Sequence, residues 1–125
     1  MFTTILSLSP VAAQVPEGQS PHRIDIELSS FRFRPERIVL HAGQRYLLHL
    51  SNGSSGSHDF TAKAFFAAAT IDPRDAGRIA AGGVALRRGE VVDLRLTAPA
   101  TRSYEVHCSH FLRTTFGMKG EIVVE

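Results

Sequence analysis

The chain has 125 residues, 43% of them hydrophobic, with fourteen Lys and Arg against twelve Asp and Glu, for a formal net charge of +2. That length suits one domain able to bury a core without staples. The scattered charges, with no basic run, point away from nucleic acid, and no apolar stretch is long enough to span a bilayer.

Met1 to Ala13 pairs an apolar run with the small-residue pattern Val11-Ala12-Ala13, and reads as a signal-peptide remnant lacking a basic start. Residues 14–21 read as a flexible lead-in, and residues 22–125 as the domain. Export places the protein in the periplasm or outside the cell.

The remainder reads as short strands. Ile24, Ile26 and Leu28 alternate with charged residues, the period of a half-buried strand. Phe31 and Phe33 continue this pattern after a break, and Pro35 limits pairing because it has no N–H. Arg37 to Leu40 is an apolar run, and Ala42-Gly43-Gln44 a turn. From Arg45 to Ser51, Tyr46, Leu48 and Leu50 share one face. Residues 52–57 form a Gly/Ser loop, followed by a short strand over His58–Thr61. The Ala-rich segment from Phe65 to Ile71 predicts one short helix, ended by Asp72-Pro73, with Phe65 and Phe66 on the core. Gly77 to Gly83 reads as a mobile excursion. Val92, Leu94 and Leu96, then Tyr104, Val106 and Cys108, then Ile122 and Val124 mark three further strands. About seven short strands at this spacing predict an all-β antiparallel sandwich or barrel.

The tail carries the chemistry. Cys108 is the only cysteine, which excludes an intrachain disulfide and leaves an inert thiol, a reactive thiol or a metal ligand. His107 and His110 flank it, and Met118 is the only internal methionine. Thiolate, imidazole and thioether are soft or borderline ligands that together favour copper, and two His, one Cys and a weak axial Met is the blue-copper set. Alternation puts Cys108 and His110 on one side of an extended segment. His107 then points away, as a surface residue or a hydrogen-bond donor behind a ligand. His22, His41 and His49 have no partner in sequence and are expected to be exposed.

Four segments resemble the cupredoxins, and more narrowly the small periplasmic cupredoxin-like domains of the EfeO type, which are associated with iron and copper handling. They are Phe33-Arg-Pro-Glu-Arg-Ile-Val-Leu-His-Ala-Gly43, the strand ending Leu50-Ser-Asn52, Ser57-His58-Asp-Phe60, and Tyr104 through Cys108 to Gly117-Met118-Lys-Gly120 and Ile122-Val-Val. The resemblance covers residues 24–125. It implies a Greek-key β-sandwich binding one copper ion, with His58, Cys108 and Met118 as ligands. It departs from the family at one point: where the second histidine is usual, five residues after the cysteine, this chain has Arg113. A guanidinium has no lone pair to give and stays charged. His110 is the candidate replacement as fourth ligand.

The function expected is copper binding, in electron transfer or copper handling, by a monomer that meets a redox or metal-transfer protein partner. Two other readings stay open. One is a metal-free module of the same fold that binds a protein partner, Arg113 marking a lost site. The other is a thiol redox protein using Cys108, activated by His107, His110 or Arg113.

Overall fold

The computed structural model of the protein describes residues 20–109 and 118–125. Most of the N-terminal segment expected to be signal and lead-in lies outside the described residues, as do His110 and Arg113.

Among the described residues, ten strands and two short helices build two five-stranded sheets. β1 (His22–Leu28), β2 (Phe33–Arg34), β4 (Arg45–Asn52), β6 (Thr70–Ile71) and β8 (Val91–Thr97) form the first, in the order β2-β1-β4-β8-β6. The second runs β3-β10-β9-β5-β7, from β3 (Arg37–Leu40), β5 (His58–Thr61), β7 (Gly83–Leu86), β9 (Arg102–His107) and β10 (Lys119–Val124). The β1·β4 and β3·β10 pairs are parallel, and the other strand pairs are antiparallel. Parallel neighbours need a crossover. Here the chain leaves the first sheet after β2, makes β3 in the second, and returns as β4.

Alternation decides what is inside. Ile26, Leu28, Leu48, Leu50, Leu94 and Leu96 face Ile38, Leu40, Phe60, Val106, Ile122 and Val124 across a common core. Aromatic edges lock the layers, with Phe33 and Phe60 ring centroids 5.5 Å apart and Phe65 and Tyr104 5.4 Å apart. Such pairs add about 0.5–1.5 kcal/mol each beyond their burial.

The segment between β5 and β7 differs from the sequence expectation. The helix α1 covers Lys63–Ala68 and buries Phe65 and Phe66 as expected, but it stops early. Thr70 and Ile71 instead pair with Thr97 and Leu96 of β8 as the edge strand β6. The β-branched side chains suit a strand, and an available sheet edge outweighs a weak helical preference.

Asp72-Pro73, read as a helix stop, opens a second helix, α2 (Pro73–Ala76). Asp72 is its N-cap, its Oδ1 accepting the Arg74 backbone N–H at 3.0 Å, and Pro73 takes the first helical position. Gly77 to Gly83 is a hydrogen-bonded structure. Arg78 N–H donates to Asp75 O at 3.0 Å, and Ala80 and Gly83 exchange backbone bonds of 2.9 and 3.0 Å. Ala81 and Gly82, both at positive φ, make the tight turn between them. β7 follows and was not read from the sequence.

The hydrogen bonds of Asp72, first from the Arg74 backbone N–H and then from its guanidinium, hold the carboxyl below its ordinary value of 3.8. The stabilisation this supplies is fully present above that value and is lost as pH falls through the lower folded one. Asp72→Ala is therefore expected to lower stability by a constant amount at neutral pH and to flatten the acid limb of a stability–pH curve measured by urea midpoint.

Two further sequence readings change. Phe33 does not continue β1: β2 folds back antiparallel to it, with Leu28 opposite Phe33, so Phe33 is buried while Phe31 is 75% exposed. His49 is half-buried and bonds Asp93 across the β4·β8 pair, Nδ1 to Oδ1, at 2.6 Å.

Candidate metal centre

Strand direction gathers the candidate ligands at one end of the sandwich. β4 ends at Asn52 and β5 begins at His58 after a five-residue loop. β9 runs antiparallel to β5, with its last residue, His107, opposite the last residue of β5, Thr61, so Cys108 and Ser109 run on beside Asp59 towards the start of β5. β10 starts opposite that point, with Lys119 paired to His107.

His58, the first residue of β5, is 7% exposed, and Cys108, directly after β9, is 3% exposed. Cys108 Sγ lies 3.8 Å from His58 Nδ1. For metal–sulfur and metal–nitrogen bonds of about 2.3 and 2.0 Å, donors at a trigonal angle sit about 3.7 Å apart. The pair thus fits two corners of one trigonal site. Met118 is buried beside them, its backbone oxygen accepting the Cys108 N–H at 3.1 Å. Among the described residues no group of three or more His, Cys, Asp or Glu side chains is arranged to hold a metal. A fuller ligand set would draw on Met118, which is not one of those types, and on His110, which lies outside the described residues.

Asp59 had no assigned role in the sequence, yet it organises this end. Its N–H points at Cys108 Sγ, 3.4 Å away. Its carboxylate accepts the Thr61 hydroxyl at 2.6 Å, the Ser109 N–H at 2.9 Å and the Ser109 hydroxyl. The residues on both sides of the Cys108–His58 contact are thereby clamped through one side chain. The sequence offers only an acidic residue inside a short strand; that all four residues of β5 are buried, a placement that requires partners, shows in the structure.

Asn52 does the same for the loop leading to His58. Its side-chain N–H₂ donates to Gly56 O at 2.9 Å and Leu86 O at 3.0 Å, and its Oδ1 accepts from Ser54. It is fully buried. Asn52→Ala is expected to cost about 2–3 kcal/mol, since it removes the buried bond to Leu86 O together with the Gly56 and Ser54 bonds that shape the loop; a chemical denaturation series measures this.

Gly83, opposite Thr61, has its own reason. A Cβ there would overlap the Thr61 hydroxyl that Asp59 holds. Gly83→Ala is expected to destabilise by about 1–3 kcal/mol and to loosen the Asp59 clamp, read as faster amide exchange at Ser109.

Among the described residues, the other histidines stand apart from the pair. His107 is half-buried with Nδ1 3.9 Å from the Glu105 carboxylate. His22 packs edge-on against Tyr46 at 5.9 Å. A cleft of about 530 Å³ borders the clamp, lined in part by Asp59, Thr61, Lys63, Arg78, His107 and Ser109. Neither His58 nor Cys108 lines it.

Two packed sheets in this order, with a histidine and a cysteine meeting at one end, define a β-sandwich of the cupredoxin fold. Solved structures agree. Over 86% of this chain and 99% of its own, a dithionite-reduced auracyanin from Roseiflexus castenholzii superposes with a TM-score of 0.61 at 20% identity. Auracyanin A, a "blue" copper protein from Chloroflexus aurantiacus, gives 0.60 at 18% identity over 85% of this chain and all of its own. The McoA multicopper oxidase from Aquifex aeolicus gives 0.64 at 15% identity, over 84% of this chain and 29% of that one. At these identities the superpositions establish the fold alone. No family model and no curated protein matches the chain.

Proposed function

We propose that this protein binds one copper ion through His58, Cys108 and Met118, with His110 as fourth ligand, and serves electron transfer or copper handling in the periplasm. The observation that carries the reading is the buried His58–Cys108 pair at a spacing suited to a shared metal, with a backbone N–H directed at the sulfur. Copper would supply reversible one-electron chemistry. The chain's own part is to hold the ligands from two strands and their connections, to keep water from the sulfur by burial, and to tune it through the Asp59 N–H. Ligands clamped before the metal arrives move little when its charge changes.

The copper neighbours support this reading by fold. The thiol redox reading is disfavoured by burial, because reactive thiols are partly exposed and Cys108 is not. The metal-free partner-binding module is favoured by one fact, Arg113 standing where the resemblance places a histidine.

A Cu(II) titration followed by visible absorption and metal analysis separates them. Intense thiolate-to-copper absorption saturating at one equivalent supports the proposal, and Arg113→His is then expected to strengthen binding. Absence of colour, together with no tight Cu(I) under reducing conditions, supports the metal-free module.

A further inference from the structure

We infer that the end of the sandwich bearing His58 and Cys108 is a docking surface for a protein partner with an acidic face. The functional importance of this end rests on the proposed copper reading, but its charge does not.

The fold collects cations there from three separate segments. Leu28 pairs with Asn52, so the turn after β1, with Phe31 and Arg32, lies beside the end of β4. Arg34 closes β2, paired with Glu27 one residue before the end of β1. Asn52 N–H donates to Glu90 O and Gly89 N–H to Asn52 O, which fixes the 87–90 turn at the same end. Leu86 is the strand partner of His58, so Arg87 and Arg88 come next to the candidate ligand. Lys119 comes directly after Met118.

Ion pairs then sort the charge. Away from this end Arg23 bonds Asp25 at 2.8 Å, Arg74 bonds Asp72 at 3.2 Å and Arg95 bonds Asp75 at 3.1 Å. Arg32, Arg34, Arg87, Arg88 and Lys119 are all exposed, and among the described residues none of them forms an ion pair. The Glu90 carboxylate accepts the Arg87 backbone N–H, an internal turn bond. A chain of small net charge thus carries a local positive surplus around its candidate site.

Arginines around an exposed phenylalanine suit a protein interface, where aromatic residues and Arg are enriched. Complementary charge would steer and orient an acidic partner so that it meets the buried pair end-on. Nucleic acid fits less well, since the cations sit on separate turns and form no continuous stripe.

The test uses the full chain, copper-free and reduced, with a ten-residue polyglutamate peptide as probe at low salt. Amide shifts on titration are expected at residues 29–34, 86–90 and 119, and to vanish in high salt. The triple variant Arg32→Gln, Arg87→Gln, Arg88→Gln should weaken binding about five- to ten-fold. A control with the same change in charge at other places, Arg45→Gln, Arg74→Gln, Arg102→Gln, should weaken it less than about two-fold. Shifts spread over the whole surface, or equal losses in the two triples, would overturn the inference. So would tighter binding of a ten-nucleotide oligothymidylate at the same residues. Because no copper is present, failure here is distinct from failure of the copper titration.

Discussion

Cys108→Ser is expected to abolish the intense visible absorption of the copper-loaded protein and to weaken copper binding by more than about a hundred-fold. Residues that merely support metal ligands change affinity by about 10–100-fold when replaced, and Cys108 is proposed as a ligand itself. A hydroxyl neither donates charge to copper as a thiolate does nor reaches as far. The fold should survive. The serine oxygen can still accept the Asp59 N–H that now points at sulfur, so a stability loss of about 1–2 kcal/mol is expected. Metal analysis and a urea midpoint on the same preparation check both parts. Unchanged copper binding would remove Cys108 from the site.

Asp59→Ala is expected to have the larger effect on stability. The carboxylate takes three hydrogen bonds from Thr61 and Ser109 and is 5% exposed. Its loss strands the buried Thr61 hydroxyl and frees the segment after Cys108, at a cost of about 2–4 kcal/mol. Asp59→Asn keeps a carbonyl acceptor and should lose about half of that. If the clamp positions the ligands, Asp59→Ala also broadens or shifts the copper absorption at a temperature where the protein is still folded. A stability loss with an unaltered spectrum would make Asp59 structural only.

These two variants probe different kinds of information. Cys108, His58 and Met118 were nameable from the chain, because their chemistry is rare in this composition and their order resembles a known pattern. Asp59 and Asn52 were not. Each acts through groups distant in sequence, such as Ser109 for Asp59 and Leu86 for Asn52. Hydrogen bonds of that kind leave no periodic trace.

The same contrast runs through the fold. Strands with strict alternation, β1, β4, β8 and β9, were legible because burial on one face writes a period of two into the sequence. β6 and β7 were not, being too short to show a period and held by their neighbours β8 and β5. α2 was missed because Asp-Pro stops one helix and starts another with equal ease, and its anchors to β8, the Asp75 carboxylate on Arg95 and the Asp72 N–H on Arg95 O, are distant in sequence.

By itself, then, the sequence determined the all-β class, the alternating core and the soft-ligand residues, all of which follow from local periodicity and side-chain chemistry. Only the tertiary structure decided that His58 and Cys108, fifty residues apart, sit 3.8 Å from each other. It also decided that Arg32, Arg87 and Arg88, far apart in sequence, lie on turns at that same end. Antiparallel direction and sheet order bring distant strand ends together, and neither is encoded in any one segment.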